Sequence, residues 1–313
     1  MRTAHLGTLE VSVIGLGCNN FGRAIDATQS ARVVGAALDA GVTYFDTAGN
    51  YGEGRSESYL GAALGKRRGE VVIGTKFGMP VPGVPGSGGA RPGYVRQAIE
   101  RSLSQLGTDF IDLYQLHFPD PETSIEDTLG VMDDLKKEGK VIEIGCCNLD
   151  AAQLATALRS SSEGGWAAFL SNQVEYSLIR RDPETDGLAE VCADAGVALL
   201  PFYPLANGLL TGKIRRGEAP QGRLGTERYR GFLTGDNFDV VERLDVYAKE
   251  RGVTMVEVAL GWLLNRDLVP AVTPGATTPE QMVSNAGASG WAPTADDLSA
   301  LEAMLDVSGA GVD

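Results

Sequence analysis

An α/β fold whose parallel strands close into a (β/α)8 barrel, the TIM-barrel architecture, is what this sequence predicts, and three observations predict it. Short apolar, β-rich runs alternate with amphipathic helical patterns along the chain until eight strands are counted. Such alternation calls for a parallel sheet, because each crossover helix has to cover a face. Four titratable residues fall at or just beyond the C-terminal ends of three successive strands, which is where a barrel keeps its chemistry. Finally, the 313 residues show no repeat beyond this alternation and no linker-like break in composition, so residues 1–313 read as a single (β/α)8 barrel domain. A doubly wound open sheet is the competing arrangement, but eight units close most naturally into a barrel.

In chain order, residues 2–13 alternate around Gly7-Thr8 and predict an N-terminal β-hairpin ahead of the main fold. The first barrel strand is expected at Val13–Leu16, running into the Gly-rich turn GLGCNNFG (Gly15–Gly22). That turn lacks the glycine spacing of a dinucleotide-binding Rossmann unit. A helix over Ser30–Ala40 leads to the second strand, Val42–Phe45, within GVTYFDTAGNYG. Next come a helix at Ser56–Leu64, a strand at Val71–Lys76, a helix at Tyr94–Leu106 and a strand at Ile111–Leu116. Ser124–Glu138 is helical, with Ser124 and Asp127 resembling a capping box, and Val141–Cys147 is a strand. Asp150 and Gln153 cap the following helix. Strands at Asn172–Glu175, Val197–Phe202 and Val269–Val272 complete the eight. Thr254 and Glu257 box the start of a helix over Met255–Leu264, and extra C-terminal helices run from Pro279 and across Thr294–Leu305.

Two connections are unusually long. Phe77–Gly93 is too rich in Pro and Gly to pack as an element and is expected to drape over the barrel mouth. Leu205–Asp236 carries Lys213, Arg215, Arg216, Arg223, Arg228 and Arg230 against Glu218, Glu227 and Asp236. In a chain of net charge −14 this is a basic island, and we read it as a flap over phosphate groups rather than a merely solvated loop.

The acidic balance argues against nucleic acid and against an anionic membrane surface as partners. Met1–Leu6 has no signal-peptide core, and nowhere do 18 apolar residues run uninterrupted, so the expected setting is soluble and cytoplasmic. Cys18, Cys146, Cys147 and Cys192 have no zinc spacing, and His5 and His117 are the two histidines. No metal centre is expected.

The candidate chemistry lies in Asp46, Lys76 and His117, which end or directly follow the second, third and fourth strands, with Tyr51 in the loop after the second. A lysine closing the apolar run VVIGTK is costly to bury without a partner, and Asp46 on the neighbouring strand is the obvious one. A phenol titrates near ~10, and an adjacent ammonium is expected to draw it toward neutral pH. His117 is placed to donate a hydrogen bond to a carbonyl oxygen. A proton donor and an oxyanion-stabilising group, without a nucleophile–base pair, suit carbonyl reduction if a hydride is supplied. They leave a hydrolase little to work with. Asn50, the carboxamide before Tyr51, is assigned to left-handed turn geometry.

Seven segments in order resemble the serial motifs of the aldo-keto reductases. They are FDTAGNYG (Phe45–Gly52), GTKFG (Gly74–Gly78), LGTDFIDLYQLHFPD (Leu106–Asp120), IGCCN (Ile144–Asn148), NQVEYS (Asn172–Ser177), PLANGLLTGK (Pro204–Lys213) and PGATTPEQMVSN (Pro274–Asn285). The resemblance spans nearly the whole chain. It implies a barrel, an NADPH-dependent carbonyl reductase (with NADH as the alternative cofactor) and a tetrad of Asp46, Tyr51, Lys76 and His117, with Tyr51 as general acid.

The same resemblance implies nicotinamide carboxamide contacts from Cys147, Asn148 and Gln173 and a ring-stacking aromatic at Phe202. Backbone contacts to the cofactor fall near Gly17, Cys18 and Asn19, and along Tyr203, Pro204, Leu205, Asn207, Gly208 and Leu210. Lys213 and Arg223 are the phosphate-side cations. The adenosine end falls on Gly275, Ala276, Thr277, Gln281 and Asn285. Three positions depart from the family pattern. Cys147 stands where a serine is usual, Phe202 where tyrosine is common, and Gly275 and Gln281 where basic residues often face a 2′-phosphate. Gln281 has an equally good local use at a helix start opened by Thr278 and Pro279. The resemblance also admits a second class of function, a cofactor-binding regulatory subunit like the family's ion-channel-associated members. Substrate identity and oligomeric state have no sequence code.

Overall fold

The computed structural model describes residues 1–219 and 222–305. Two antiparallel strands, β1 (Thr3–Leu6) and β2 (Leu9–Ser12), form the expected hairpin, with Leu6 opposite Leu9 and Gly7 turning the chain at φ 60°. Leu6, Leu9 and Val11 are buried against Tyr44, Leu113, Leu200 and Ala271 in one apolar cluster. Each such side chain contributes about 1.5–3 kcal/mol by leaving water. The cluster joins the hairpin to strand residues and leaves the opposite, C-terminal ends of the strands as the rim where the candidate residues gather.

Seven parallel strands follow in sequential order, each hydrogen-bonded to the next. They are β3 (Leu16–Gly17), β4 (Tyr44–Asp46), β5 (Val72–Phe77), β6 (Ile111–Leu116), β7 (Val141–Cys147), β8 (Ser171–Glu175) and β9 (Ala198–Phe202). Helices α1 (Ala27–Asp39), α2 (Ser56–Leu64), α3 (Pro92–Leu106), α4 (Ile125–Lys137), α5 (Ala151–Gly164) and α6 (Leu188–Ala195) occupy the crossovers. Among the described residues four more follow β9: α7 (Gly235–Arg251), α8 (Met255–Leu263), α9 (Pro279–Gly287) and α10 (Ala295–Leu305). The architecture is that of a (β/α)8 barrel with an N-terminal hairpin and additional C-terminal helices.

Two strand expectations need correction. The first barrel strand pairs at Leu16–Gly17, later than Val13–Leu16. The eighth, expected at Val269–Val272, is no continuous ladder: Val272 bridges Ile14 and Gly275 bridges Gly17 in isolation. Single bonds complete the closure, from Leu199 N to Leu268 O at 2.8 Å and from Gly15 N to Val272 O at 2.8 Å. The reason lies in the sequence. Pro270 lies within the segment and Pro274 just beyond it, and each removes a donor from any ladder built there.

Helix starts follow their capping chemistry. Asp150 with Gln153 and Thr254 with Glu257 form reciprocal boxes. Ser124 accepts from Asp127 N at 3.1 Å, but the shorter aspartate makes no return bond, so that box is half formed. Helix α1 begins earlier than expected because Asp26 caps it. Leu205–Asp236 is not featureless: single turns occupy Ala206–Thr211, Gly222–Gly225 and Glu227–Phe232, anchored by buried Leu224 and Tyr229. Thr234 then caps α7.

Candidate active site at the C-terminal rim

Asp46 is the last residue of β4 and Lys76 lies near the end of β5, and the register of these neighbours brings the two side chains together. Lys76 Nζ donates to Asp46 Oδ1 at 2.8 Å, to Oδ2 at 2.7 Å and to the Thr47 carbonyl at 2.8 Å. All three ammonium protons are thereby engaged. Both side chains are buried, so each charge is tolerated through the other. Burial works against the Lys76 ammonium, but Asp46 together with the Tyr51 and Cys147 sites outweighs it and holds the lysine above its ordinary range.

Asp46 Oδ1 is further restrained by Gln173 Nε2 at 3.0 Å and Gln115 Nε2 at 3.4 Å. Gln115 was not singled out from sequence. Its signal was a polar residue two positions after Leu113, on the barrel-interior face of an apolar strand.

Tyr51 opens a single helical turn, Tyr51–Gly54, beyond β4. Its ring lies 5.0 Å from Lys76 Nζ and meets the His117 ring edge-on at 5.7 Å between centroids. Three of the four groups come from strand ends and the fourth from this turn, and the fold brings all four together. The left-handed residues of the turn are Gly52 (φ 57°) and Glu53 (φ 58°), whereas Asn50 sits at φ −99°. The left-handed role expected of Asn50 therefore passes to its neighbours. Gly52 admits no other residue, since a Cβ there would lie 2.0 Å from the Phe21 carbonyl oxygen.

The electrostatics depart from the sequence expectation in one respect. Burial holds the Tyr51 phenol above its ordinary range, and the Lys76 ammonium, the largest opposing influence, does not overcome it. A phenol that stays protonated is a proton donor, not a standing phenolate. His117 is pushed down to about 3, first by burial and then by Lys76, so the imidazole is neutral at pH 7. Its Nδ1 is buried without a partner among the described residues. Burial also pushes Cys147 up to about 12, with Lys76 pulling the other way; its thiol faces Gln115 Oε1 at 3.9 Å.

Beneath the turn lies a residue that sequence reasoning missed. Glu57, in the first turn of α2, is buried and accepts from Thr75 Oγ1 at 2.7 Å, while its Oε2 has no partner among the described residues. An acid in a helix's first turn is ordinary, so nothing in the pattern marked it.

Around the rim, Gly17 N bonds Pro274 O at 3.1 Å and Cys18 N bonds Asp46 O at 2.8 Å. Asn148 takes a positive φ of 60° and donates from Nδ2 to His117 O at 3.0 Å. Phe202 ends β9 half-buried, edge-on to Tyr203 at 5.1 Å. Pro204, Leu205 and Leu210 are buried, Gly208 is half-buried, and Asn207 has both carboxamide atoms buried and unpartnered among the described residues. On the far side Gln281 N donates to Thr278 Oγ1 at 3.3 Å, but its side chain accepts from Thr277 N at 2.8 Å and Oγ1 at 3.0 Å, so the expected capping box is only half formed. Buried Asn285 donates to Gly275 O at 3.4 Å, and Ala276 is buried beside it.

The basic island divides. Arg223 Nη2 bonds Asn19 Oδ1 and Asn20 Oδ1, each at 2.9 Å, and so reaches across the rim to the Gly-rich turn. Arg215 instead pairs with Asp245 at 3.1 Å and Arg216 with Glu242 at 2.9 Å on α7, and Lys213, Arg228 and Arg230 are exposed. Of these side chains Arg223 reaches the rim, whereas Arg215 and Arg216 are neutralised by α7 carboxylates and depart from the single-flap expectation.

An amphipathic dinucleotide needs an aromatic platform, polar groups for an amide and cations or N–H groups for phosphates. Half-buried Phe202, the orphaned Asn207 carboxamide and the Arg223 bridge supply these kinds of partner on one rim. The donor set fits such a group. Among the described residues no cluster of three or more His, Cys, Asp or Glu side chains is placed to hold a metal, and no helix is long and apolar enough to cross a membrane.

Comparison with known proteins agrees with this geometry. A model of the Aldo/keto reductase family matches residues 13–306. The chain is 33% identical over 293 residues to an L-glyceraldehyde 3-phosphate reductase of Escherichia coli, covering 88% of this chain and 84% of that protein. It is 30% identical to the aldo-keto reductase YhdN of Bacillus subtilis (95% and 91% covered). Identity is also 30% to a probable voltage-gated potassium channel subunit beta of Arabidopsis thaliana (91% and 90% covered). With its strand-end cluster, its barrel and a family match along nearly its whole length, the chain belongs to the aldo/keto reductase family.

Proposed function

We propose that the protein is an NADPH-dependent oxidoreductase that reduces aldehyde or ketone carbonyls to alcohols, with NADH as the weaker alternative. The observation that carries this reading is the convergence of Tyr51, the buried Lys76–Asp46 pair and a neutral, unpartnered His117 at one rim. When bound, the cofactor supplies a hydride from nicotinamide C4. The chain supplies the rest. His117 donates a hydrogen bond that orients the substrate oxygen, and Tyr51 gives that oxygen its proton as negative charge develops on it. The phenol is held protonated between turns by burial, and the Lys76 charge stabilises the phenolate left behind. Asp46, clamped by Gln115 and Gln173, fixes Lys76 at that distance. Phe202, Asn148 and the Arg223 bridge to Asn19 would hold the dinucleotide along the rim.

The test is NADPH oxidation with a panel of generic aldehydes, run in parallel with NADH. Tyr51→Phe is expected to lower kcat by about 10²–10⁴-fold, the usual worth of a positioned general acid, with NADPH affinity retained. Full activity in that variant removes Tyr51 from the role.

A second reading, a cofactor-binding subunit with little turnover, is favoured by the 30% identity to a protein named as a potassium channel subunit. An intact tetrad fits both. Tight NADPH binding without turnover on any aldehyde in the panel selects this alternative.

A further inference from the structure

Glu175 is a carboxylate that the chemistry above does not use. It is the last residue of β8, two positions beyond Gln173, whose amide reaches Asp46 in the barrel interior. Side chains alternate along a strand, so Gln173 and Glu175 share the inward face about 7 Å apart, while Val174 between them packs in the outer apolar cluster. Register gives a second, independent placement. Glu175 pairs with Phe202 on β9, and Phe202 lies two residues beyond Leu200 of the interior cluster. The carboxylate therefore stands on the rim immediately beside the aromatic assigned to ring stacking.

Its surroundings leave its charge free to act. Oε1 is buried without a hydrogen-bond partner among the described residues. Burial pushes the carboxyl up, and Arg180 is the cation that pulls it back. That guanidinium is half-exposed and shared with Asp182 at 3.6 Å.

We propose that Glu175 is a poise-setting residue for the bound dinucleotide, its carboxylate favouring the cationic oxidised ring over the neutral reduced ring. This rests on the reductase reading and deepens it. An anion beside a stacked heteroaromatic attracts the form that carries positive charge and is nearly indifferent to the uncharged one. The same attraction grows as the ring becomes positive during hydride departure, so Glu175 assists reduction without touching the substrate.

The test titrates the full-length wild type and Glu175→Gln with NADP+ and with NADPH separately, following quenching of intrinsic fluorescence, with thermal denaturation as a folding control. In Glu175→Gln the NADP+ Kd is expected to rise roughly tenfold while that for NADPH stays within about twofold, as for loss of one partly screened charge pair. Glu175→Asp keeps the charge and is expected to keep the preference; Glu175→Met gives a second neutral variant should Gln fold poorly. Parallel changes in both affinities, or no change in either, overturn the assignment while leaving the reductase reading intact. Failure of the wild type to bind either dinucleotide removes that reading and this inference together.

Discussion

The strand-end cluster and the loop after β9 lie on the same rim and are built on opposite terms. Around Asp46 and Lys76 polar valence is filled: the ammonium makes three bonds and the carboxylate receives Lys76, Gln115 and Gln173. Along the loop three of the described non-glycine residues sit at positive φ, Tyr203 at 51°, Ala206 at 47° and Asn207 at 57°. Such geometry costs L-residues about 1–2 kcal/mol each. Both polar atoms of the Asn207 carboxamide are also buried without partners among the described residues. A cluster that must present fixed charges at a reacting atom is satisfied internally. On the proposed reading, the loop that would grip the dinucleotide keeps its strain and its unpaired groups for it.

Removing one partner of the filled cluster is the most damaging way to break this contrast. Asp46→Asn leaves Lys76 as a buried ammonium facing a neutral amide. The expected cost is about 3–5 kcal/mol of unfolding free energy, read by denaturant titration, together with loss of carbonyl reduction. An Asp46→Asn protein of wild-type stability would show that the pair is not the anchor described here.

How much of this was legible beforehand follows the same division. Residues that sit at strand ends were legible because strand periodicity is strong and the rim is fixed by topology. Asp46, Lys76 and His117 could be placed from VTYFD, VVIGTK and IDLYQLH alone. Contacts made across long sequence separations were not. Nothing near Arg215 or Arg216 indicates that α7 carboxylates neutralise them, and nothing in SESYLG shows that Glu57 is buried beneath the Tyr51 turn. The eighth strand was readable as an apolar run, yet its two prolines needed more weight than periodicity gave them. The direction of the Tyr51 shift was misjudged for a related reason: a charge partner is visible in sequence, but the depth of burial opposing it is not.

His117, the member of the strand-end cluster whose Nδ1 has no partner among the described residues, offers a smaller test. An unfolded chain protonates this imidazole near ~6.5, whereas the folded protein holds it down to about 3, through burial and then Lys76. Between those values the unfolded state binds more protons, so stability falls as pH is lowered and is unaffected above the window. From pH 7 to 5 the loss assignable to this group is about 2 kcal/mol. In His117→Gln the fall over that range should be shallower by that amount. An unchanged slope would mean that His117 protonates freely in the folded protein.

The smallest effects separate the two halves of the basic island, which composition alone had merged. Arg223 spans the rim to Asn19 and Asn20 and stacks over Tyr203 and Tyr229 at 5.2 and 5.7 Å. Arg216 is committed to Glu242 and Asp239 on the outer face of α7. Arg223→Ala should therefore weaken NADPH binding roughly tenfold, about 1.4 kcal/mol, and more at low ionic strength than at high. Arg216→Ala should leave that affinity unchanged and cost under about 1 kcal/mol of stability, because exposed ion pairs contribute little. Equal losses of affinity in both variants would mean that the island acts through its summed charge, as the sequence alone suggests. The predicted inequality would mean that one side chain, placed by its bridge to the Gly-rich turn, carries the interaction while its neighbour only fastens α7.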